Sequence, residues 1–367
     1  MSKPGLKYAD TGVDYSALDP FKRLAQTAAA QTAGNAQRLG FTELSSSRGE
    51  SAYLIEAADH FIAHVEEGLG TKNLVADAVH ELTGRQYYDA IAQDTVAMIV
   101  NDMITLGALP VSVAMHAGVG DTRWFADEAR AASLVAGWKH ACDLARAVWG
   151  GGESPGLTGV VEPHAVVLAG SAVGVIKPKD RLITGNIAAG DAIVMFASTG
   201  IHANGLSLAR KIAQSTGYDA TLSDGRTYGE ALLDPTHIYV PVIEDVQEAG
   251  IKLHYAVNIT GHGWRKLMRA VEPFVYEIDT IPEPQPVFTF MQEHGPVDDA
   301  EAYGNFNMGA GFAVYARPED VARIIEVAAS HSIKAWLAGT IRKDADQKKV
   351  VIKPKNLTYE GDSLGVR

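Results

Sequence analysis

Two hydrophobic rhythms alternate along this chain from Ala52 onward. Strand-like runs cover 61–65, 111–119, 164–176, 192–197, 253–257, 311–315 and 336–341. Between them, residues three and four apart share an apolar face. That spacing predicts helices from near Asn73 and over 88–106, 122–148, 203–212, 235–249, 264–271 and 318–329. Strands interleaved with helices predict an α/β protein, and the uneven spacing allows antiparallel pairing within mixed sheets. The pattern breaks at Lys177-Pro178-Lys179-Asp180, which places a domain boundary there, with domains at 1–178 and 179–367. The first fifty residues are polar and rich in Ala, Gly and Ser. A helix opened by an Asp19 cap is expected over 19–31, followed by loop to residue 50. The tail after Lys355 is expected to be loosely ordered.

One helix stands out. The 88–106 run is apolar nearly all round, with Ile91, Val96, Ile99, Val100, Met103 and Ile104, yet Asp94, Asn101 and Asp102 interrupt it. At 3.6 residues per turn, positions 94 and 101 nearly superimpose and 102 adjoins them. Buried carboxylates are costly unless paired or metal-bound, so the stripe serves either a ligand or metal, or a buried hydrogen-bond network.

Composition narrows the partners. The hydrophobic share of 47% and charged share of 21% suit a globular protein with a sizeable core. A net charge of −12 argues against a nucleic-acid partner. Cys142 is the single cysteine, so no internal disulfide or cysteine-based zinc site forms, which fits a reducing, cytoplasmic setting. Met1-Ser2-Lys3-Pro4-Gly5 has no apolar core behind it, so no secretory signal is expected. No apolar run reaches the ~20 residues of a membrane span.

The candidate chemistry lies in glycine loops at strand edges. Glu66-Glu67-Gly68-Leu69-Gly70-Thr71-Lys72 joins a strand to a helix. Its backbone can approach a phosphate, Lys72 can offset charge, and Glu66 or Glu67 can take a Mg²⁺. Gly150-Gly151-Gly152-Glu153-Ser154-Pro155-Gly156 follows a helix and is either a linker or a place where backbone meets something closely. In Ser198-Thr199-Gly200-Ile201-His202-Ala203-Asn204-Gly205, His202 and Asn204 either cap a helix or meet a phosphate, with His202 suited to proton transfer. Asn258-Ile259-Thr260-Gly261-His262-Gly263-Trp264 and Asn305-Phe306-Asn307-Met308-Gly309-Ala310-Gly311 repeat the pattern. Together these loops describe a site for a nucleotide and a phosphorylated metabolite.

In this order, the segments resemble the aminoimidazole ribonucleotide synthetase (phosphoribosylformylglycinamidine cyclo-ligase) family. The similarity runs from Tyr8-Ala9-Asp10-Thr11-Gly12-Val13-Asp14 to about Ile352. The family's Asp-Gly-Val-Gly-Thr-Lys motif corresponds to Glu67-Gly68-Leu69-Gly70-Thr71-Lys72. Its Asp-Leu-Val-Ala-Met-x-Val-Asn-Asp helix corresponds to Asp94-Thr95-Val96-Ala97-Met98-Ile99-Val100-Asn101-Asp102. Gly151-Gly152-Glu153, His202-Ala203-Asn204-Gly205 and Leu233-Asp234-Pro235-Thr236-His237-Ile238-Tyr239 match three further motifs.

The resemblance implies a two-domain α/β subunit that dimerises through its N-terminal strands and binds ATP and Mg²⁺ near that interface. Glu67, Asp94 and Glu153 would hold the metal. Gly68, Gly70, Thr71, Lys72, Asn101, Gly151, Gly152, Thr260 and Gly261 would line the nucleotide, and His202, Lys72 and Asn204 would act in catalysis. The implied reaction is ATP-dependent closure of formylglycinamidine ribonucleotide to aminoimidazole ribonucleotide in purine biosynthesis. Replacing Asp94 by Ala is expected to abolish turnover and leave the fold intact. The chain departs from the family at Glu67 (aspartate there), Ser154 (threonine), His262 (glycine) and Met308 (cysteine), and its N-terminal glycine loop is reduced to Leu39-Gly40-Phe41. The alternatives are a superfamily relative acting on another substrate and a nucleotide-binding protein without catalysis. Selenophosphate synthetase and the hydrogenase-maturation relative are disfavoured, since their reactive cysteines have no counterpart here. Thiamine-phosphate kinase matches the later loops poorly.

Overall fold

The computed structural model describes residues 15–183, 185–295 and 297–364. The Tyr8–Asp14 motif and the closing Gly365-Val366-Arg367 lie outside them.

The first half builds one mixed sheet. Its elements are α1 (Tyr15–Ala30), β1 (Thr42–Glu43), β2 (Tyr53–Glu56), β3 (Phe61–Gly68), α2 (Lys72–Thr83), α3 (Tyr88–Met103), β4 (Leu109–Val119), α4 (Glu128–Leu144), β5 (Val148–Glu153) and β6 (Val166–Ile176). The strand order is β1-β2-β3-β6-β4-β5, antiparallel throughout except for the β4–β5 pair. Helix α3 lies under β3 and β6, and α4 covers its far side. This sandwiching is why α3 is apolar all round: thirteen of its residues, from Tyr88 to Met103, are buried. On β6 the pleat alternates. Val166, Leu168, Ala172 and Ile176 face inward, where Gly170 and Gly174 meet Ile99 and Met103 of α3. Val167 and Val173 face the other way and are 48% and 46% exposed. The sheet therefore has one covered face and one open face.

The second half builds a seven-stranded sheet. Its elements are β7 (Ala192–Ala197), α5 (Leu206–Thr216), α6 (Tyr228–Leu232), α7 (Val240–Glu248), β8 (Tyr255–Asn258), β9 (Val275–Ile278), α8 (Pro286–His294), α9 (Asp299–Asn305), β10 (Ala310–Ala316), α10 (Val321–Ser330), β11 (Ala335–Arg342), β12 (Lys349–Ile352) and β13 (Leu357–Glu360). The order is β13-β12-β9-β11-β7-β10-β8, with only β12–β9 parallel. Strand β10, buried at all seven positions, is the spine of this half.

Several expectations are corrected. Helix α1 starts at Tyr15, so Asp19 lies inside it rather than capping it. The 34–50 loop contains two 3-10 turns and β1. The 122–148 helix is a short 3-10 turn followed by α4, capped by Asp127, whose side chain accepts from Arg130 N. The triple glycine is no loop but part of β5. A Cβ at Gly152 would stand 2.1 Å from the Met115 carbonyl oxygen, so glycine is what lets this edge strand pair with β4. No helix begins at Pro235: residues 233–239 link α6 to α7 without regular secondary structure. The 264–271 run is a 3-10 turn, Gly263–Met268. The tail pairs in register, with β13 against β12.

Candidate functional site

The polar stripe of α3 reaches across to the second half. Asp94 is fully buried. Its Oδ1 accepts from Thr236 N at 2.8 Å and from Thr236 Oγ1 at 2.5 Å, and its Oδ2 pairs with Lys72 Nζ at 2.7 Å. Burial pushes the Asp94 carboxyl above its usual range, against the pull of Lys72 and Thr236. Lys72, the first residue of α2, is equally enclosed and also donates to the Asp234 carbonyl at 2.8 Å. Two turns along α3, Asn101 donates to the His237 carbonyl at 2.7 Å and accepts from Tyr239 N at 2.9 Å. Gln93 adds a bond to Thr236 O at 2.9 Å. The 233–239 link is thus held at Asp234, Thr236, His237 and Tyr239, which satisfies those backbone groups and the buried stripe together.

A cleft of about 300 Å³ lies next to this seam, lined from both halves by Glu67, Met98, Asp102, Asn204, Thr260 and Lys266, among others. The pleat of β3 decides between the two adjacent glutamates. Glu67 shares the side of Phe61, Ala63 and Val65 that faces α3, whereas Glu66 lies with His64 on the open face. Burial and the neighbouring Asp102 carboxylate raise Glu67 to about 7. Asp102 Oδ1 accepts from Asn258 Nδ2 at 2.7 Å. Lys266 Nζ donates to Thr260 Oγ1 at 2.6 Å, and burial lowers it to about 8. Asn204 Oδ1 accepts from Gly261 N at 3.1 Å, tying two glycine loops together. Gly205 makes the Asn204 position possible: its φ is +81°, and a Cβ there would lie 2.2 Å from the Phe306 ring.

The structure therefore gathers Glu67, Asn204, Thr260 and Gly261 at one cleft. Gly68 ends β3, Gly70 turns the chain with φ +79°, and Thr71 precedes α2, all beside the cleft's Glu67 in sequence. Lys72, Asp94 and Asn101 lie deeper, in the seam. His202 is buried, with Nε2 accepting from Thr199 N at 3.3 Å. Burial, then His237, then Lys72 hold its imidazole well below the usual range, so it is neutral. It stands beside the His237 and Tyr239 rings rather than lining the cleft. Gly151, Gly152 and Glu153 sit on exposed edge strand β5, with Glu153 in register with His116. Glu67, Asp94 and Glu153 do not converge within one subunit. Among the described residues, no group of three or more His, Cys, Asp or Glu side chains is arranged to hold a metal.

Asp102 and Lys266 are among the cleft residues that sequence reasoning did not assign as ligands. Asp102 was visible as the flank of the stripe. Lys266 carried no signal beyond following a glycine loop, because only the 3-10 turn at Gly263–Met268 brings it back against Thr260.

Comparison with known proteins gives a consistent result. Residues 49–176 match the family model "AIR synthase related protein, N-terminal domain", and residues 188–352 match "AIR synthase related protein, C-terminal domain". The phosphoribosylformylglycinamidine cyclo-ligase of Methanococcus maripaludis is 36% identical over 82% of this chain and 83% of its own. That of Methanocaldococcus jannaschii is 36% identical over 78% and 80%. Among solved structures, "T. maritima PurL complexed with FGAR" superposes with a TM-score of 0.57 at 16% identity, covering 86% of this chain and 47% of that one, a likeness of fold.

Proposed function

The chain belongs to the AIR synthase related family, and on that premise we propose that it is a phosphoribosylformylglycinamidine cyclo-ligase. It closes formylglycinamidine ribonucleotide to aminoimidazole ribonucleotide at the expense of ATP, in purine biosynthesis. The observation that carries this reading is the cleft itself, where Glu67 and Asp102 of the first half meet Asn204, Thr260 and Lys266 of the second.

In the proposed reaction the formyl oxygen attacks the γ-phosphorus of ATP, and the bond to the bridging oxygen breaks, releasing ADP. An internal nitrogen then attacks the activated carbon, gives up a proton, and phosphate leaves with the former formyl oxygen. Residues from both halves hold the two reactants in one orientation, which lowers the entropic barrier to closure. Asn204, fixed by Gly261 N, presents its amide at the cleft wall. His202, neutral and buried, positions the 198–202 turn rather than exchanging protons. Lys72, Asp94 and Asn101 position the 233–239 segment beside the cleft.

The donor set fits a magnesium ion: two crowded carboxylates, Glu67 and Asp102, whose repulsion a cation relieves. Such an ion would neutralise charge on the phosphates of ATP.

The proposal extends to the assembly. The open face of the first sheet, with Val167, Val173, Ala114 and Ile62, is the surface proposed to form a homodimer. Glu153, in register with His116 of β4, lies beside that face and is proposed to complete a site across the dimer. The subunit divides at 1–178 and 179–367. None of the described helices is long and apolar enough to cross a membrane, and a cytoplasmic setting belongs to the same proposal.

The test mixes the protein with Mg²⁺, ATP and formylglycinamidine ribonucleotide and measures ADP and aminoimidazole ribonucleotide together. Equimolar formation of both is expected. Magnesium-dependent ATP binding without ring closure would replace this reading with a relative that uses another substrate.

A further inference from the structure

Sequence reasoning gave the phosphate-meeting role to Lys72. Its surroundings argue otherwise. The ammonium is fully enclosed, 2.7 Å from Asp94 Oδ2 and 2.8 Å from Asp234 O, and it does not line the cleft. Lys266 presents the opposite case. It is 8% exposed and lines the cleft. Among the described residues its hydrogen bonding is confined to Thr260 Oγ1, which leaves two N–H donors unused. Asp102 and Glu67 act on it through space, but neither closes to a direct ion pair. Arg269, the next cation along, is already engaged by Gly49 O, Ser51 Oγ and Glu50.

A buried ammonium short of partners is costly. The cost is removed when an anion with several acceptor oxygens enters beside it. A phosphate group answers that description, since it offers several acceptor oxygens to the Lys266 ammonium.

We propose that Lys266, rather than Lys72, contacts a phosphate group in the interdomain cleft. The proposal rests on the cyclo-ligase reading for the identity of the ligands, which offer two sources of that group: the phosphates of ATP and the ribose 5′-phosphate of the substrate.

The experiment titrates MgATP and formylglycinamidine ribonucleotide separately, by calorimetry, into the wild type and into Lys266→Met, Lys266→Gln and Lys72→Met, each checked by thermal melting. Loss of a charged hydrogen bond predicts about 10–100-fold weaker binding of one ligand by Lys266→Met. Lys266→Gln, which keeps a donor for Thr260, should show the same loss if Lys266→Met folds poorly. A change in the MgATP arm assigns the subsite to the nucleotide, and a change in the other arm assigns it to the ribose phosphate. In Lys72→Met that still folds, any loss should fall on both ligands together, because the variant loosens the 233–239 segment rather than removing a ligand contact. The proposal is overturned if both Lys266 variants bind both ligands as tightly as wild type, if Lys72→Met alone loses affinity, or if the wild type binds neither. Wild-type turnover, measured apart, decides the cyclo-ligase reading independently of these affinities.

Discussion

Replacing Asp94 by Ala probes the seam directly. The substitution strips the Lys72 ammonium of its carboxylate in a site with no solvent access, and it leaves Thr236 N and Oγ1 without an acceptor. Breaking one side of a buried ion pair costs about 3–5 kcal/mol. The Thr236 losses overlap with that figure rather than adding to it, because all three donors converge on one carboxylate. At roughly 2–4 °C per kcal/mol for units the size of each half, a loss of about 4 kcal/mol lowers the melting midpoint by about 8–16 °C. The expectation drawn from sequence, an inactive but intact protein, thus gives way to a destabilised one. The assay is calorimetric melting of Asp94→Ala beside the double variant Asp94→Leu with Lys72→Met. An apolar pair of similar volume avoids the stranded charge, so the double variant should recover most of the loss. A midpoint for Asp94→Ala within 2–3 °C of wild type, against the roughly 8–16 °C expected, would refute the clamp.

Two further outcomes are expected. His202 and His262 are both held neutral by burial, His262 down at about 3. Below the unfolded value of about 6.5 the unfolded chain takes up protons that the native state does not, so stability is full above that pH and falls as pH drops below it, by up to about 1.4 kcal/mol per unit per histidine. Urea midpoints followed from neutral pH into the acid range should show this slope, and His262→Asn should flatten it; parallel curves for the two proteins would contradict the assignment. Separately, Val173→Lys places a charge in the middle of the open face of the first sheet, where Val173 is 46% exposed. Sedimentation should show a dimer for the wild type and a monomer with little change in melting for the variant; a variant that remains dimeric would move the interface elsewhere.

How far the sequence could be read depended on whether a residue's partner was near in the chain. Strand β7 and helix α3 were legible because each carries its own pattern: six consecutive apolar residues in one, and sixteen positions of helical period in the other. The helix expected from Pro235 begins only at Val240, because Pro235 suits a helix start while residues 236–239 are bonded instead by α3 side chains some 140 positions earlier. The triple glycine left open a linker or a close backbone approach; the second holds, and the backbone it meets is that of β4, which nothing local could identify. The site shows the same division. Three of the glycine motifs supply Glu67, Asn204, Thr260 and Gly261 to the cleft wall, whereas the 150–156 motif lies on edge strand β5. The assignment of Lys72 to a ligand failed to anticipate Asp94, a residue of the same motif set that reaches it only through packing. Lys266, with no motif of its own, was invisible.

The seam also bears on how the molecule is born. On the ribosome, α3 emerges long before residues 233–239 and Asn258. Through that interval Asp94, Asn101 and Asp102 lack the carbonyls, amides and hydroxyl that later satisfy them. At ordinary rates of synthesis the wait is on the order of ten seconds. The nascent first half must therefore leave α3 unsealed, or seal it around water, until the second half arrives to displace it. Emergence of residues 233–258, rather than completion of the first sheet, is what supplies the partners of this stripe.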